Sequence, residues 1–152
     1  MKKSHIKHIR TYAISAFRLY AEEGSVNKYK KRIWKSALME SGKGKRERLG
    51  SPTEAQILRA EQALDDVRAT IADLEAVERT IYIFEQMEGA VKKMQTLKMM
   101  YLRPEAMERG DFNKRLHDTV IYIPASENEI KKILNLSCEI FAEIRGLRMH
   151  EK

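Results

Sequence analysis

The sequence predicts an all-α protein, and three observations lead to this class. Apolar residues recur every three or four positions along most of the 152 residues, which is the spacing of one helix face. Helix-capping signals stand before several of these segments. Charged residues make up 34% of the chain and aromatic residues only 7%, which suits elongated helices better than a thick core. We expect a helical N-terminal part, a long central helix and a C-terminal bundle that resembles a helix-turn-helix.

Basic residues exceed acidic ones, and they are distributed unevenly along the chain. The formal net charge of +7 divides into +10 for residues 1–50, −6 for residues 51–88 and +3 for residues 89–152. A basic surface favours an anionic partner. The charge therefore favours such a partner chiefly for the N-terminal third.

Cysteine content and hydropathy predict the compartment. The chain has one cysteine, Cys138, so it has no internal disulfide and fits a reducing environment. No apolar run approaches the roughly 20 residues needed to cross a bilayer. The basic residues 1–10 are not followed by the apolar segment of a secretion signal. We expect a cytoplasmic protein with no membrane partner.

The N-terminal region, residues 1–40, is predicted to be basic and helical. Apolar spacing predicts one helix over residues 5–21, ended by Gly24, and a second over residues 25–39, capped by Ser25. Basic residues alternate with aromatic ones in the second helix, a pattern that can hold phosphates and stack bases. The candidate phosphate contacts are Lys28, Lys30, Lys31 and Arg32.

The aromatic residues of the second helix have a structural interpretation as well. Tyr29 and Trp34 fit the role of core anchors, and we expect that role for both of them. For the neighbouring lysines, two interpretations stay open, either phosphate contacts or an ordinary solvated face.

A linker is predicted at residues 41–50, which contain three glycines and no apolar period. Such a segment can lie along a phosphate backbone. Its candidate phosphate contacts are Lys43, Lys45 and Arg46.

Residues 51–88 predict a long acidic helix. Ser51 is the expected N-cap, Pro52 suits the first helical position, and Glu54 completes a capping box. A heptad-like apolar spacing then continues, with only Glu78 breaking it, so one helix or two joined near Glu78 are implied. An acidic helix of this length suits a spacer or a pairing surface, and residues 52–88 are the candidate homodimer surface.

The C-terminal region, residues 89–152, predicts three further helices. The first covers residues 90–102 and ends at Arg103 and Pro104. Its apolar side consists of Val91, Met94, Leu97, Met100 and Tyr101. A short helix starts near residue 111 and stops before Pro124, after which Ser126 and Glu129 have the spacing of a capping box.

The last helix is amphipathic and completes the outline of a helix-turn-helix. Gly146 marks its end, where a left-handed residue is favoured. The second helix of such a unit can enter the major groove of DNA, although many helical pairs never touch DNA. Its apolar side consists of Ile130, Ile133, Leu134, Ile140, Phe141, Ile144 and Leu147.

Motifs for catalysis and metal binding are lacking in the sequence. His5 and His8 are three residues apart, but no further His or Cys lies near them in the chain. There is no Gly-rich phosphate loop, no H-E-x-x-H and no G-x-S-x-G. We therefore expect a protein that is not an enzyme and that uses no metal and no cofactor.

Several segments resemble known regulators of transcription. Residues 94–102 resemble the helix that precedes the helix-turn-helix in region four of bacterial sigma factors, and residues 127–134 resemble its recognition helix. The wider layout resembles phage transcriptional regulators of the RinA and ArpU kind. Residues 51–55, 73–78 and 141–147 contribute to that likeness.

The resemblance implies a DNA-binding regulator of phage or prophage genes, an activator of late or packaging genes in the bacterial cytoplasm. Its partners would be double-stranded DNA and RNA polymerase. The alternative is a non-enzymatic helical protein that serves protein–protein interaction or oligomerisation. The implied DNA-binding residues are Asn128, Lys131, Lys132 and Asn135 beside Glu127 on the last helix, with Lys114 and Arg115 as phosphate contacts on the helix before it.

Overall fold

A computed structural model of the chain describes residues 2–42, 51–102 and 112–147. These residues form seven helices and no strand, which confirms the all-α class. None of the helices in the described ranges is long and apolar enough to cross a membrane. The helices are α1 (Lys2–Glu23), α2 (Val26–Gly42), α3 (Glu54–Asp66), α4 (Arg68–Gln86), α5 (Ala90–Met100), α6 (Phe112–Tyr122) and α7 (Glu127–Arg145).

Helix α4 lies at the centre of the fold, where α1, α5 and α7 pack around it. Phe84 of α4 is fully buried, as are Phe17 of α1 and Phe141 of α7. The ring of Phe17 lies 5.6 Å from that of Tyr101 and 6.0 Å from that of Phe141, measured between centroids. These distances are typical of favourable aromatic pairs, so α1, α7 and the residue that follows α5 meet at one aromatic cluster.

Two carboxylates of α4 join it to its neighbours. Asp73 accepts hydrogen bonds from the Tyr12 hydroxyl at 2.9 Å and from Nε of Arg145 at 2.7 Å. One carboxylate therefore connects α1, α4 and α7.

Glu78, the residue that interrupts the apolar spacing of residues 51–88, has a role of the same kind. Its Oε2 accepts from the Tyr20 hydroxyl at 3.0 Å and from the backbone N–H of Val26 at 3.1 Å. Burial, together with this hydrogen bond, raises the pKa of Tyr20 to about 12. Glu78 thus joins α4 to the end of α1 and to the first turn of α2.

The predicted boundary between the first two helices is confirmed. Gly24 has a positive φ of 94° and its N–H donates to the carbonyl of Tyr20. The Ser25 hydroxyl accepts from the N–H of Lys28 at 3.1 Å, so Ser25 caps α2 as expected. Helix α2 then packs along α3, and both helices also contact α4.

The central helix is not continuous, and it divides at Val67 rather than near Glu78. The φ and ψ of Val67 are −109° and 22°, and its N–H bonds back to Leu64 in a tightened turn. Asp65 and Asp66 precede the break, and aspartates are poor residues for a helix interior because they bond to nearby backbone. Because of this break, α3 can pack along α2 while α4 packs in the core.

The start of α3 also differs from the prediction by two residues. Thr53, not Ser51, is the N-cap, and it forms a capping box with Gln56. The threonine hydroxyl accepts from the Gln56 N–H at 3.1 Å, and the glutamine Oε1 accepts from the Thr53 N–H at 2.8 Å. Two overlapping sequences have the capping-box spacing, and the chain uses the second.

The apolar side of residues 52–88 is largely used within the chain. Ala60 of α3 and Leu74 and Val77 of α4 are buried. Leu74 packs with Val26 and Tyr29 of α2. The face that predicted pairing with a second copy is thus occupied by helices of the same chain, and a homodimer through 52–88 stays a prediction.

Three predicted details of the C-terminal region also change. Val91 is 73% exposed and Ile144 is 36% exposed, so neither belongs to the core. Helix α5 ends at Met100, where the Tyr101 N–H donates to the Leu97 carbonyl, two residues before the predicted end at 102.

Two predicted features lie wholly or mostly outside the described residues. These are the stop signal at 103–104 and the linker at 41–50, although α2 reaches Gly42 and so includes the first two linker positions.

Candidate nucleic-acid interface

The turn between α6 and α7 has the geometry that the sequence predicts. Ile123 is buried and its N–H donates to the Thr119 carbonyl, which closes the end of α6. The Ser126 hydroxyl accepts from the Glu129 N–H at 3.1 Å, while Glu129 accepts from the Ser126 N–H at 3.3 Å. This capping box fixes the direction in which α7 leaves the turn.

Helix α7 buries apolar residues along its whole length, in its N-terminal half as well as in its C-terminal half. In the C-terminal half Cys138, Phe141 and Ala142 are buried against the bundle. Gly146 then closes the helix with a positive φ of 75°. In the N-terminal half the apolar residues point inward and the polar residues are on the outside. Ile130, Ile133 and Leu134 anchor the N-terminal half to the bundle, so its polar side is the part that can meet a ligand.

The N-terminal half of α7 presents a polar surface, which we call the α7 polar face. Asn128, Lys131 and Lys132 are exposed, and Asn135 is half-buried. Their spacing of three, four and seven residues places them on one side of the helix. Neither Lys131 nor Lys132 forms an ion pair within the described ranges. Both ammonium groups can therefore meet an anionic partner.

One of the two acidic residues at the tip of α7 is neutralised by α5. Nζ of Lys92 lies 3.1 Å from Oε2 of Glu129. The hydrogen bond from Lys92, followed by the one from the Ser126 N–H, lowers the pKa of Glu129. Glu127 remains exposed at the start of the helix, where its charge complements the helix dipole.

The two predicted phosphate contacts on α6 differ in position. Lys114 is exposed. Arg115 is only partly exposed, and its Nε and Nη1 are buried without a hydrogen-bond partner among the described residues. Lys114 suits a phosphate contact, whereas Arg115 can offer at most the outer part of its guanidinium group.

A second arginine that the sequence did not single out shares this environment. Nε of Arg10 on α1 is also buried and unpartnered in the described part of the chain. Burial is the main cause that raises the pKa of Tyr101, and the positive charges of both arginines partly oppose this rise. Burial raises the pKa of the neighbouring Cys138 to about 11, so this thiol is neutral at ordinary pH and serves packing. Apolar spacing gives no sign of such a cluster because its members come from four segments.

The candidate phosphate contacts on α2 separate into two groups. Arg32 pairs with Glu23 at 2.8 Å and lies over the Tyr29 ring, and Lys30 approaches Glu75 at 4.0 Å. Lys28 and Lys31 are exposed and have no ion pair within the described ranges. The candidates Lys43, Lys45 and Arg46 lie outside the described residues.

The two aromatic residues of α2 also differ. Tyr29 is buried, as expected for a core anchor. Trp34 is only partly buried and lines a shallow surface pocket with three lysines and Leu64 of α3. The interpretation of Trp34 as a core anchor is therefore wrong.

No group of His, Cys, Asp and Glu residues in the described ranges could hold a metal ion. No protein-family model, curated protein or solved structure matches the chain. Assignment of a function therefore has to rest on the site itself.

Proposed function

We propose that the chain is a DNA-binding regulator of transcription in a phage or prophage, with the α7 polar face in the major groove of double-stranded DNA. The observation that supports this most is the capped N-terminal half of α7, which carries two exposed lysines that form no ion pair within the described ranges. Activation of late or packaging genes would then involve contact with RNA polymerase.

The side chains of the α7 polar face suit base edges and phosphates. An asparagine can bond to adenine through two hydrogen bonds, and a lysine can donate to the O6 and N7 atoms of guanine. Asn128 is exposed on the first turn of α7, where the N-terminal end of a recognition helix usually contacts bases. Lys114 on α6 would hold the backbone beside it, and phosphate contacts of this kind position the protein without reading sequence.

The paired state of Glu129 supports the same function. An unpaired carboxylate at the tip of α7 would repel phosphates. Because Lys92 neutralises Glu129, the lysines dominate the charge near the second turn of α7. Of the two carboxylates in the first turn of α7, only Glu127 has no ion pair among the described residues.

Duplex binding tests the proposal directly. The chain is titrated with a labelled fragment from upstream of its own operon, and with a scrambled duplex, at several salt concentrations. We expect saturable binding that prefers the native fragment, with a logarithmic affinity that falls linearly with the logarithm of salt. Absence of any preference for the native fragment would overturn specific DNA binding.

A pair of substitutions locates the site. Lys131→Gln with Lys132→Gln should weaken duplex binding at least about tenfold, because each phosphate or base contact contributes on the order of 1 kcal/mol or more. The matched control is Lys98→Gln, an exposed lysine of α5. Equal effects of the pair and the control would remove α7 from the binding surface.

A second candidate function, protein–protein interaction, is favoured by a groove between α4 and the end of α7. The groove has a volume of about 710 Å³, and its lining includes Tyr82 and Ile144. Tyr82 is 62% exposed, and exposed aromatic residues are enriched at protein interfaces. Under this alternative, Tyr82→Ser would weaken the complex between this chain and its protein partner, which light scattering would record as a lower mass. The same substitution would leave duplex binding unchanged.

A further inference from the structure

The pocket around Trp34 combines an aromatic ring with positive charge. It has a volume of about 480 Å³ and is lined by Trp34, Lys30, Lys31 and Lys35 of α2 and by Leu64 of α3. The lining is mostly apolar although three of its five residues are lysines, so the lysines contribute mainly their aliphatic stems. The ammonium groups then lie around the rim.

The charge at this rim is poorly balanced. Lys31 and Lys35 are exposed and form no ion pair in the described part of the chain, and only Lys30 approaches a carboxylate, that of Glu75 at 4.0 Å. Residues 25–39 contain no aspartate or glutamate at all. The basic surface continues past the pocket, because Arg32 and Lys35 line a second hollow towards Met39.

We propose that the Trp34 pocket binds single-stranded nucleic acid, with one base stacked on the indole and the adjacent phosphates held by Lys31 and Lys35. An exposed aromatic face beside free ammonium groups is how proteins hold unpaired strands without reading their sequence. Bases within a duplex are covered on both faces by their neighbours, so a duplex would offer this pocket only its phosphates.

The Trp34 pocket is separate from the α7 polar face. Its residues belong to α2 and α3, and α2 packs on α1, α3 and α4. The proposal therefore goes beyond duplex binding and does not rest on it. A chain with both sites would hold duplex and unpaired strand on different surfaces.

The indole itself reports on the pocket, because Trp34 is the only tryptophan among the 152 residues. The full chain is titrated with a short oligothymidylate while tryptophan fluorescence is recorded. We expect saturable quenching that weakens as salt rises. An abasic oligonucleotide of the same length, which has the phosphates but no bases, should leave the fluorescence nearly unchanged. Polyglutamate, which represents an acidic protein partner, should also leave it unchanged.

Variants separate stacking from charge. Trp34→Leu should weaken binding of a labelled oligothymidylate, followed by anisotropy, about tenfold, since it removes the ring on which one base would stack. Lys31→Gln with Lys35→Gln should weaken it and flatten its salt dependence. The matched controls are Tyr82→Leu and Lys98→Gln, an exposed aromatic residue and an exposed lysine of other helices. Circular dichroism verifies that each variant is folded.

Several results would overturn the proposal. No quenching by oligothymidylate would exclude the stacked base, and equal quenching by the abasic strand or by polyglutamate would reduce the pocket to a charged surface. Loss of quenching in the Lys131→Gln, Lys132→Gln variant would place the unpaired strand on α7 instead. Retained quenching in that variant, together with lost duplex binding, would support two separate sites.

Discussion

Helix α7 and the pair of helices α2 and α3 both present lysines to solvent, but they do so in different ways. The lysines of α7 stand on a helix whose other face is part of the core and whose start is fixed by a capping box. The lysines of α2 stand beside a partly exposed tryptophan, on the helix that packs along α3. The first arrangement suits precise contacts in a groove, and the second suits a flat base and its phosphates.

The first prediction concerns the stability contributed by the two aromatic residues under these surfaces. Phe141→Ala should lower the free energy of unfolding by about 3–5 kcal/mol, because it leaves a cavity in a fully buried site. Trp34→Ala should cost less, on the order of 2 kcal/mol, since the indole is only partly buried. Urea unfolding followed by circular dichroism measures both values. A cost for Trp34→Ala near that of Phe141→Ala would show that the indole is part of the core and contradict an open pocket.

The second prediction concerns the carboxylate that joins α7 to the core. Asp73→Ala should lower the free energy of unfolding by about 1–3 kcal/mol, because it leaves the partly buried Arg145 guanidinium without its acceptor. The control is Asp66→Ala on α3, where the carboxylate accepts from the exposed Gln62 of its own helix and from no other described residue. Thermal unfolding of both variants measures the two losses of stability, and equal losses would contradict the role given to Asp73.

The third prediction compares the caps of the two helices. Ser126→Ala should cost about 1 kcal/mol, the usual value for a lost N-cap. Ser25→Ala should cost less, because Glu78 still accepts from the Val26 N–H in the first turn of α2. Urea unfolding of the two single variants tests this order, and a larger cost at Ser25 would reverse it.

The smallest effect is expected from pH at the tip of α7. Lys92 and the Ser126 N–H lower the pKa of Glu129 below its ordinary value of 4.5. The carboxylate therefore stabilises the fold fully above pH 4.5, and this contribution is lost as pH falls through the lower folded value. Glu129→Gln should show a smaller drop in melting temperature below that pH than the parent chain does. Identical pH profiles would argue against the Lys92 pair in solution.

Local features of the fold could be predicted from the sequence, because they depend on residues close together in the chain. Gly24, Gly146 and the capping box of Ser126 and Glu129 all occupy the predicted positions. The outward side of α7 followed from the spacing of its apolar residues. The helix start at Thr53 was missed because two capping boxes overlap there, and local spacing cannot choose between them.

Features that depend on distant residues could not be predicted in this way. Asp73 and Arg145 are 72 residues apart, and Glu78 reaches back to Val26 across 52 residues. The partly buried position of Trp34 depends on where Leu64 of α3 lies beside α2. The partly buried state of Arg115 likewise comes from packing between helices, which helical spacing does not record.

The most direct test of the central claim is to find which part of the chain lies in the groove. Cys138 is the only cysteine and is buried, so Glu127→Cys, at the exposed start of α7, provides one accessible thiol that can carry an iron chelate for cleavage of DNA. We predict strand cuts clustered at the bound site from Glu127→Cys and none above background from Arg79→Cys on α4. Cuts from the α4 position, with none from the α7 position, would contradict the proposal that α7 enters the major groove.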